Sequence, residues 1–371
     1  MRVVIIGAGI VGASAAYHLT KENNEVILID AANEGQATAA GAGIICPWSS
    51  LERGENWYNI ANEAAHFYPK FIEELKEQGE ENVSYKKVGS LITASDEGKL
   101  QTHLQLLQER RTNAPLMGDV EQLSPEEARE LFPVLDEQLH ALYIPGAARV
   151  DGRLLTKILL KLAKSNGVQY IEGVASLTVE GHQVTGVKVK DKIYEADRIL
   201  MTAGAWAKDL LTPLDLSLHI KPQRGQIVHL HLPKIKTSDW PVISPVGSGH
   251  YIVSFDDSRV VIGATRETNS GFDYRMTAGG VAEVLHEGLT VAPGLADGTV
   301  AEIRIGFRPM GEDLLPLIGP IEQIENLYIA NGLGPSGLTI GPFVGKLISE
   351  MIQEKSMALD LAPYNPKRAI F

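Results

Sequence analysis

The chain has 371 residues, 44% of them hydrophobic and 22% charged, with a formal net charge of −12. That length exceeds what one hydrophobic core usually supports and predicts two domains, while the acidic balance argues against a nucleic-acid partner, which would need a basic face. A single cysteine, Cys46, excludes a disulfide framework or cysteine metal cluster within the chain. With that one cysteine a reducing, cytoplasmic setting is expected; the apolar runs are too short and interrupted to span a bilayer, with peripheral membrane contact left open.

Residues 2–30 read as a βαβ unit. An apolar strand, Val3-Val4-Ile5-Ile6, runs into Gly7-Ala8-Gly9-Ile10-Val11-Gly12. A helix over 13–21 follows, then a second apolar strand, Val26-Ile27-Leu28-Ile29, which ends in Asp30. Gly7 permits the tight turn, Gly9 lets backbone approach a pyrophosphate, and Gly12 allows close helix–strand packing. The helix start offers unpaired N–H groups and a positive dipole end to phosphates, and Asp30 stands where an acid accepts a ribose hydroxyl. Together these parts predict dinucleotide binding.

The small-residue run over 35–45, with Ala39, Ala40, Gly41, Gly43 and Ile44, suits backbone lying close against a flat ligand. Residues 51–135 are expected to be mostly helical, with amphipathic stretches over 61–78 and 97–111 and a strand pair within 84–94. Ser124 and Glu127 bracket Pro125 as a capping box that opens a short helix, and Phe132-Pro133 stops it. A helix over 151–168 takes Asp151 as N-cap and closes at Asn166-Gly167.

Strand-like pieces at 168–172, 174–179, 183–190 and 192–195 form a β-meander inside an otherwise parallel topology. A buried strand over 198–202 follows and ends at Ala203-Gly204-Ala205-Trp206. From 223 to 299 the pattern alternates as in an antiparallel sheet, with strands at 227–231, 249–253 and 259–263. In such a strand His250 and Tyr251 point to opposite faces, so both line one pocket only if a bulge intervenes. Arg224-Gly225-Gln226 reads as a strand crossing between domains. The ten histidines show no metal-binding spacing, and no metal site is expected.

A strand over 327–330, a second glycine-rich turn over 331–338 and a helix over 341–353 end the chain. In that turn Gly334, Pro335, Ser336, Gly337 and Leu338 precede a helix, whose N-terminus can set N–H groups against a second polar edge of the cofactor. A flavin, negatively charged along one edge when reduced, uses such a second cradle. A nicotinamide has less need of it, which favours FAD over NAD.

GAGIVG at 7–12, AAGAGI at 39–44, MTAGAW at 201–206, GFRP at 306–309, PLIG at 316–319 and GLGPSGL at 332–338 occur in this order over nearly the whole chain. The set resembles the D-amino-acid oxidase family, in particular its glycine oxidase, sarcosine oxidase and D-amino-acid dehydrogenase branch. The resemblance implies an α/β fold. A three-layer Rossmann-type FAD-binding domain would come from 1–50, 140–222 and 300–371, and an α+β substrate domain with a large antiparallel sheet from 51–139 and 223–299.

It also implies oxidation of a small amino acid or secondary amine such as glycine, sarcosine, proline or a D-amino acid. A hydride passes from the amine-bearing carbon to flavin N5, and the resulting imine is hydrolysed. Oxygen or another electron acceptor would complete the cycle.

By the same resemblance Arg308 grips the substrate carboxylate next to the flavin, Tyr251 covers that carboxylate, and Val174 holds adenine through its backbone. Ala203, Gly204 and Trp206 border the cofactor. For Arg308 an ion pair with Glu302 or Asp313 is the alternative, for Tyr251 and Trp206 a packing role. No cysteine follows the Arg308 segment, so FAD is expected to be noncovalent. Two further readings stay open: an FAD-binding subunit of a hetero-oligomeric dehydrogenase, and an FAD-dependent tRNA-modifying enzyme.

Overall fold

The computed structural model describes residues 1–50, 54–357 and 359–371, so the first three positions of the predicted helical stretch, 51–53, lie outside the described residues. Alternating apolar side chains organise segments from the start, middle and end of the chain into three layers. Strands Arg2–Ile6 and Glu25–Asp30 pair in parallel. On one face Val3, Ile5, Val26 and Leu28 pack with residues of helices Ile10–Lys21, Gly152–Ser165 and Gly337–Ile352. On the other face Val4, Ile6, Ile27 and Ile29 meet Val184, Val187 and Val189. Those valines belong to a separate antiparallel meander of Ala175–Glu180, Gln183–Val189 and Lys192–Glu195. A sheet covered on both faces needs near-continuous apolar strands, which the sequence supplies.

Gln169–Glu172 flanks Glu25–Asp30, and Arg198–Met201 flanks Arg2–Ile6, both in parallel. Leu327–Asn331 adds a further parallel strand, and Leu317–Pro320 closes that edge antiparallel. The chain crosses from strand to helix at Gly7 with φ of 108°. A Cβ on Gly12 would stand 1.9 Å from the Gly7 carbonyl oxygen, so only glycine lets the helix sit this close. Helix Gly337–Ile352 lies across Ile10–Lys21, and Ser14 Oγ donates to the Pro342 carbonyl at 2.7 Å.

The second sheet has eight strands. In spatial order they are Thr299–Met310, Lys221–His231, Arg259–Gly263, Tyr251–Ser254, Val242–Pro245, Ser90–Ala94, His140–Ile144 and Glu121–Leu123. Every pairing is antiparallel except that of Val242–Pro245 with Ser90–Ala94. Helix Ala278–Val291 covers one face, packing Val284 with Val228, Leu230 and Ile262. Ile227, Val253 and Val261 cluster apart from these, with Tyr251 and Ile44 packed against them.

Several local expectations meet the structure directly. Ser124 and Glu127 make both capping-box bonds, 3.3 and 2.8 Å, and Asp151 accepts the Leu154 N–H at 3.1 Å. Others differ. Within 84–94 the two strands do not pair with each other: Lys86–Lys87 bonds to Ala148–Arg149, and Ser90–Ala94 to His140–Ile144. His140–Ile144 and Thr299–Met310, read from the sequence as parts of the nucleotide-binding segments, are strands of the eight-stranded sheet. Local pattern defines a strand but not its distant partner, which explains both differences. Among the described residues no helix is long and apolar enough to cross a membrane.

Candidate active site

A cavity of about 800 Å³ lies between the C-terminal ends of the parallel strands and the large sheet, the crevice in which doubly wound folds bind ligands. Its lower wall begins at Gly7, Gly9, Ile10 and Val11. Gly9 caps helix Ile10–Lys21 without a side chain, so first-turn N–H groups lack an internal partner; the Ile10 N–H meets Thr38 Oγ1 at 3.1 Å. Gly12 does not line the cavity, and its role here is the close packing already described.

Asp30 lines the cavity, but its carboxylate is already engaged by the Ala8 N–H (2.5 Å), the Ala32 N–H (2.7 Å) and Gln36 Nε2 (2.9 Å). Those bonds orient the acid at the strand end, where a sugar hydroxyl can join as a further donor.

The small-residue run contributes Ala40, Gly41, Gly43 and Ile44 to the wall. Ala39 lies outside it, and its carbonyl accepts bonds from Arg153 and Arg304. Val174, 76% exposed, lines the rim. Ala203, Gly204 and Trp206 also line the cavity, and the Trp206 ring stacks on Phe272 with centroids 5.0 Å apart. Asn331 Nδ2 donates to the Gly204 carbonyl at 2.9 Å and ties this turn to the C-terminal one. There Gly334, Pro335, Ser336, Gly337 and Leu338 all face the cavity. Trp57 Nε1 donates to Ser336 Oγ at 3.0 Å, and Tyr68 Oη donates to the Leu338 carbonyl.

Arg308 and Tyr251 come from two different strands of the large sheet and meet on the cavity wall. Arg308 Nη1 donates to the Thr265 carbonyl (3.0 Å) and to Gln223 Oε1 (3.2 Å). The carboxylates proposed as its alternatives are taken: Glu302 pairs with Arg153 and Arg304, and Asp313 with Arg368. Burial pulls the Arg308 pKa below its ordinary value, as does the charge of Arg266, with Tyr251 opposing. Burial raises the Tyr251 phenol, and Arg308 and Arg266 counter it.

His250 requires a correction. It lines the same cavity as Tyr251, because the strand begins at Tyr251 and His250 belongs to the preceding turn, where strand alternation does not apply. Its ring lies between Glu283 (3.3 Å) and Glu287 (3.8 Å). Cys46 also lines the cavity, and burial pushes its thiol up to about 11, so it stays protonated and unreactive.

Arg266, Ser244, Ser248 and Phe307 also reach this wall and were not singled out from the sequence. Arg266 stands in a loop outside any motif, and no spacing signals it. Arg224, read as part of a crossing strand, lies in strand Lys221–His231 with its side chain buried against Glu267 and Asp273.

The residues present fit FAD. Two helix N-termini open on one elongated cavity, one preceded by a glycine turn for a pyrophosphate and one facing the large sheet. Such a fold and site define an FAD-dependent oxidoreductase.

Comparison with known proteins gives the family. Residues 2–351 match the model of the DAO family, described as FAD dependent oxidoreductase, and the chain belongs to that family. It is 45% identical to the uncharacterized oxidoreductase YurR of Bacillus subtilis over 99% of both chains. The crystal structure of iminodiacetate oxidase (IdaA) from Chelativorans sp. superposes with a TM-score of 0.96 at 47% identity, over 98% of this chain and 99% of that one. Glycine oxidase from Geobacillus kaustophilus gives a TM-score of 0.85 at 27% identity, over 99% of both chains.

Proposed function

We propose that the enzyme oxidises a small amino acid or secondary amine at the carbon bearing nitrogen. The observation carrying this reading is the Arg308 guanidinium, set in the cavity wall beside Tyr251 with no carboxylate partner among the described residues. A planar guanidinium receives a carboxylate through two parallel bonds and thereby fixes the substrate's orientation. Thr265 and Gln223 hold the side chain in place for that contact, and orientation of this kind is a large part of catalysis.

FAD, when bound, supplies the two-electron acceptor for the C–H bond. The glycine turn and Asp30 would hold its adenosine half, and Gly334 to Leu338 its ring half. Loss of hydride from the amine-bearing carbon leaves an iminium ion, and addition of water to it with release of a proton then gives a carbonyl compound and an amine. A neutral amine needs no general base for hydride loss, so no residue of the wall is assigned that role.

Likeness to iminodiacetate oxidase and to glycine oxidase supports this substrate class, and iminodiacetate, sarcosine and glycine head the compounds to try. The test is anaerobic: one of these amines, proline or a D-amino acid should bleach the bound flavin, and admitting air with peroxide detection then identifies oxygen as the acceptor. A flavin that no amine of the panel reduces would overturn the proposal.

A further inference from the structure

We propose that Arg266 holds a second carboxylate of the substrate, so that the site is built for a small amine carrying two carboxylates. This deepens the reading given above and rests on Arg308 receiving the first carboxylate.

Arg266 lines the same cavity as Arg308, Tyr251 and His250. It is exposed, and its charge acts on both Arg308 and Tyr251. The two arginines share one support, because Arg308 Nη1 donates to the carbonyl of Thr265, the residue before Arg266. Each guanidinium also lies over a glycine. A Cβ on Gly225 would stand 2.7 Å from Arg308 Nη1, and one on Gly249 would stand 1.8 Å from Arg266 Nη1. A side chain at either position would displace the arginine, so both positions leave room for a guanidinium.

Nearby carboxylates do not neutralise the pair. Glu267 is held by Arg224, Glu302 by Arg153 and Arg304, and Glu283 and Glu287 flank His250. Among the described residues the only carboxylates lining the cavity are Asp30 and Asp209, and both belong to the nucleotide-binding side. Two like charges on one wall repel each other until an anion is shared or one anion meets each.

One carboxylate saturates one guanidinium in the bidentate mode, which leaves the second arginine to a second anion. Charge balance points the same way. An amino acid with one carboxylate is a net-neutral zwitterion, whereas an ammonium dicarboxylate keeps a net negative charge and is drawn to a two-arginine wall.

Glutarate and butyrate test this on the FAD-loaded enzyme without turnover. Each replaces the amine nitrogen by carbon, the first in a dicarboxylate and the second in its one-carboxylate counterpart. Perturbation of the flavin absorption spectrum reads binding. In the wild type, glutarate should bind about tenfold or more tighter than butyrate, the size of one charge-assisted contact. Arg266→Ala should bring glutarate close to the butyrate level while weakening butyrate far less, and Arg266→Lys should recover part of the loss. In turnover, Arg266→Ala should lower kcat/KM for iminodiacetate much more than for sarcosine.

Equal binding of glutarate and butyrate by the wild type, or equal weakening of both by Arg266→Ala, overturns the second-carboxylate site. If sarcosine or glycine still bleaches the flavin in that event, the amine-oxidising reading survives alone. If no amine bleaches it and neither acid perturbs its spectrum, that reading falls, and the second site falls with it.

Discussion

Arg224 grips one carboxylate oxygen of Glu267 from two nitrogens, Nε at 3.0 Å and Nη2 at 2.5 Å. The other Glu267 oxygen accepts from Gln226 Nε2 (2.7 Å) and Thr265 Oγ1 (2.8 Å). This network fastens the loop carrying Thr265 and Arg266 to strand Lys221–His231, and Asp273 adds a 3.0 Å contact from further along the loop. The side chains of Arg224 and Glu267 are only 7% and 25% exposed, so removing one partner leaves the other poorly solvated.

Arg224→Ala should therefore destabilise the protein by about 3–5 kcal/mol, the usual cost of breaking a buried pair from one side. Arg224→Lys should recover only part of this, since an ammonium lacks the two-nitrogen fork. Thermal melting of the flavin-loaded protein measures both. A variant with wild-type melting would show that the network does not hold the loop.

For Arg308, the alanine variant should lose roughly 1.5–3 kcal/mol of transition-state binding, a ten- to hundredfold fall in kcat/KM for any carboxylate-bearing amine. Flavin content, read from the visible spectrum, separates lost substrate binding from lost cofactor. An unchanged kcat/KM would remove Arg308 from the site.

Two glycines of the first turn should behave differently. Gly12→Ala drives a Cβ to 1.9 Å from the Gly7 carbonyl, and the protein should fail to fold or melt far lower. Gly9→Ala meets only Thr38 Oγ1 at 3.3 Å, so it should fold yet retain less FAD, because the added methyl crowds the backbone a pyrophosphate must approach. Flavin-to-protein ratios beside melting curves distinguish the two outcomes, and equal flavin retention in Gly9→Ala and wild type would contradict the second.

Stability should fall with acid through two histidines. Burial, reinforced for His18 by Lys21 and for His229 by Arg304 and Arg259, lowers both to about 3. In the unfolded chain an imidazole takes its proton near 6.5. Between these values the unfolded state binds more protons than the native one, so stability is full above about pH 6.5 and declines toward pH 3. The slope is up to about 1.4 kcal/mol per pH unit for each group. Neither nitrogen of His229 has a hydrogen-bond partner among the described residues, so His229→Leu should cost little at pH 7 and flatten the decline. Denaturation at pH 7, 6 and 5 gives the slopes, and identical slopes for variant and wild type would refute the assignment.

The first βαβ unit, the Ser124/Glu127 capping box, the Asp151 N-cap, the meander strands after residue 173 and a helix after the second glycine turn were legible in the sequence because short-range rules decide them: alternation, glycine geometry and side-chain caps. So was the cofactor, since both glycine turns sit where strand passes to helix. Partnership between distant strands was not. The piece at 168–172, read with the meander, pairs in the parallel sheet instead. Thr299–Met310 and His140–Ile144 carry the pattern of any buried strand, and only the packed sheet gives them neighbours.

The substrate wall divides the same way. Arg308 stands in a recognisable segment, and its bonds to Gln223 and Thr265 bring together residues 85 and 43 positions away. Arg266 and His250 lie in turns with no periodicity to mark them. Sequence alone determined the strand–glycine turn–helix that suits a dinucleotide, because that geometry is built from contiguous backbone. Which side chains line the cavity beside Arg308 was decided only by tertiary structure, because an eight-stranded sheet gathers them from loops and strands far apart in the chain.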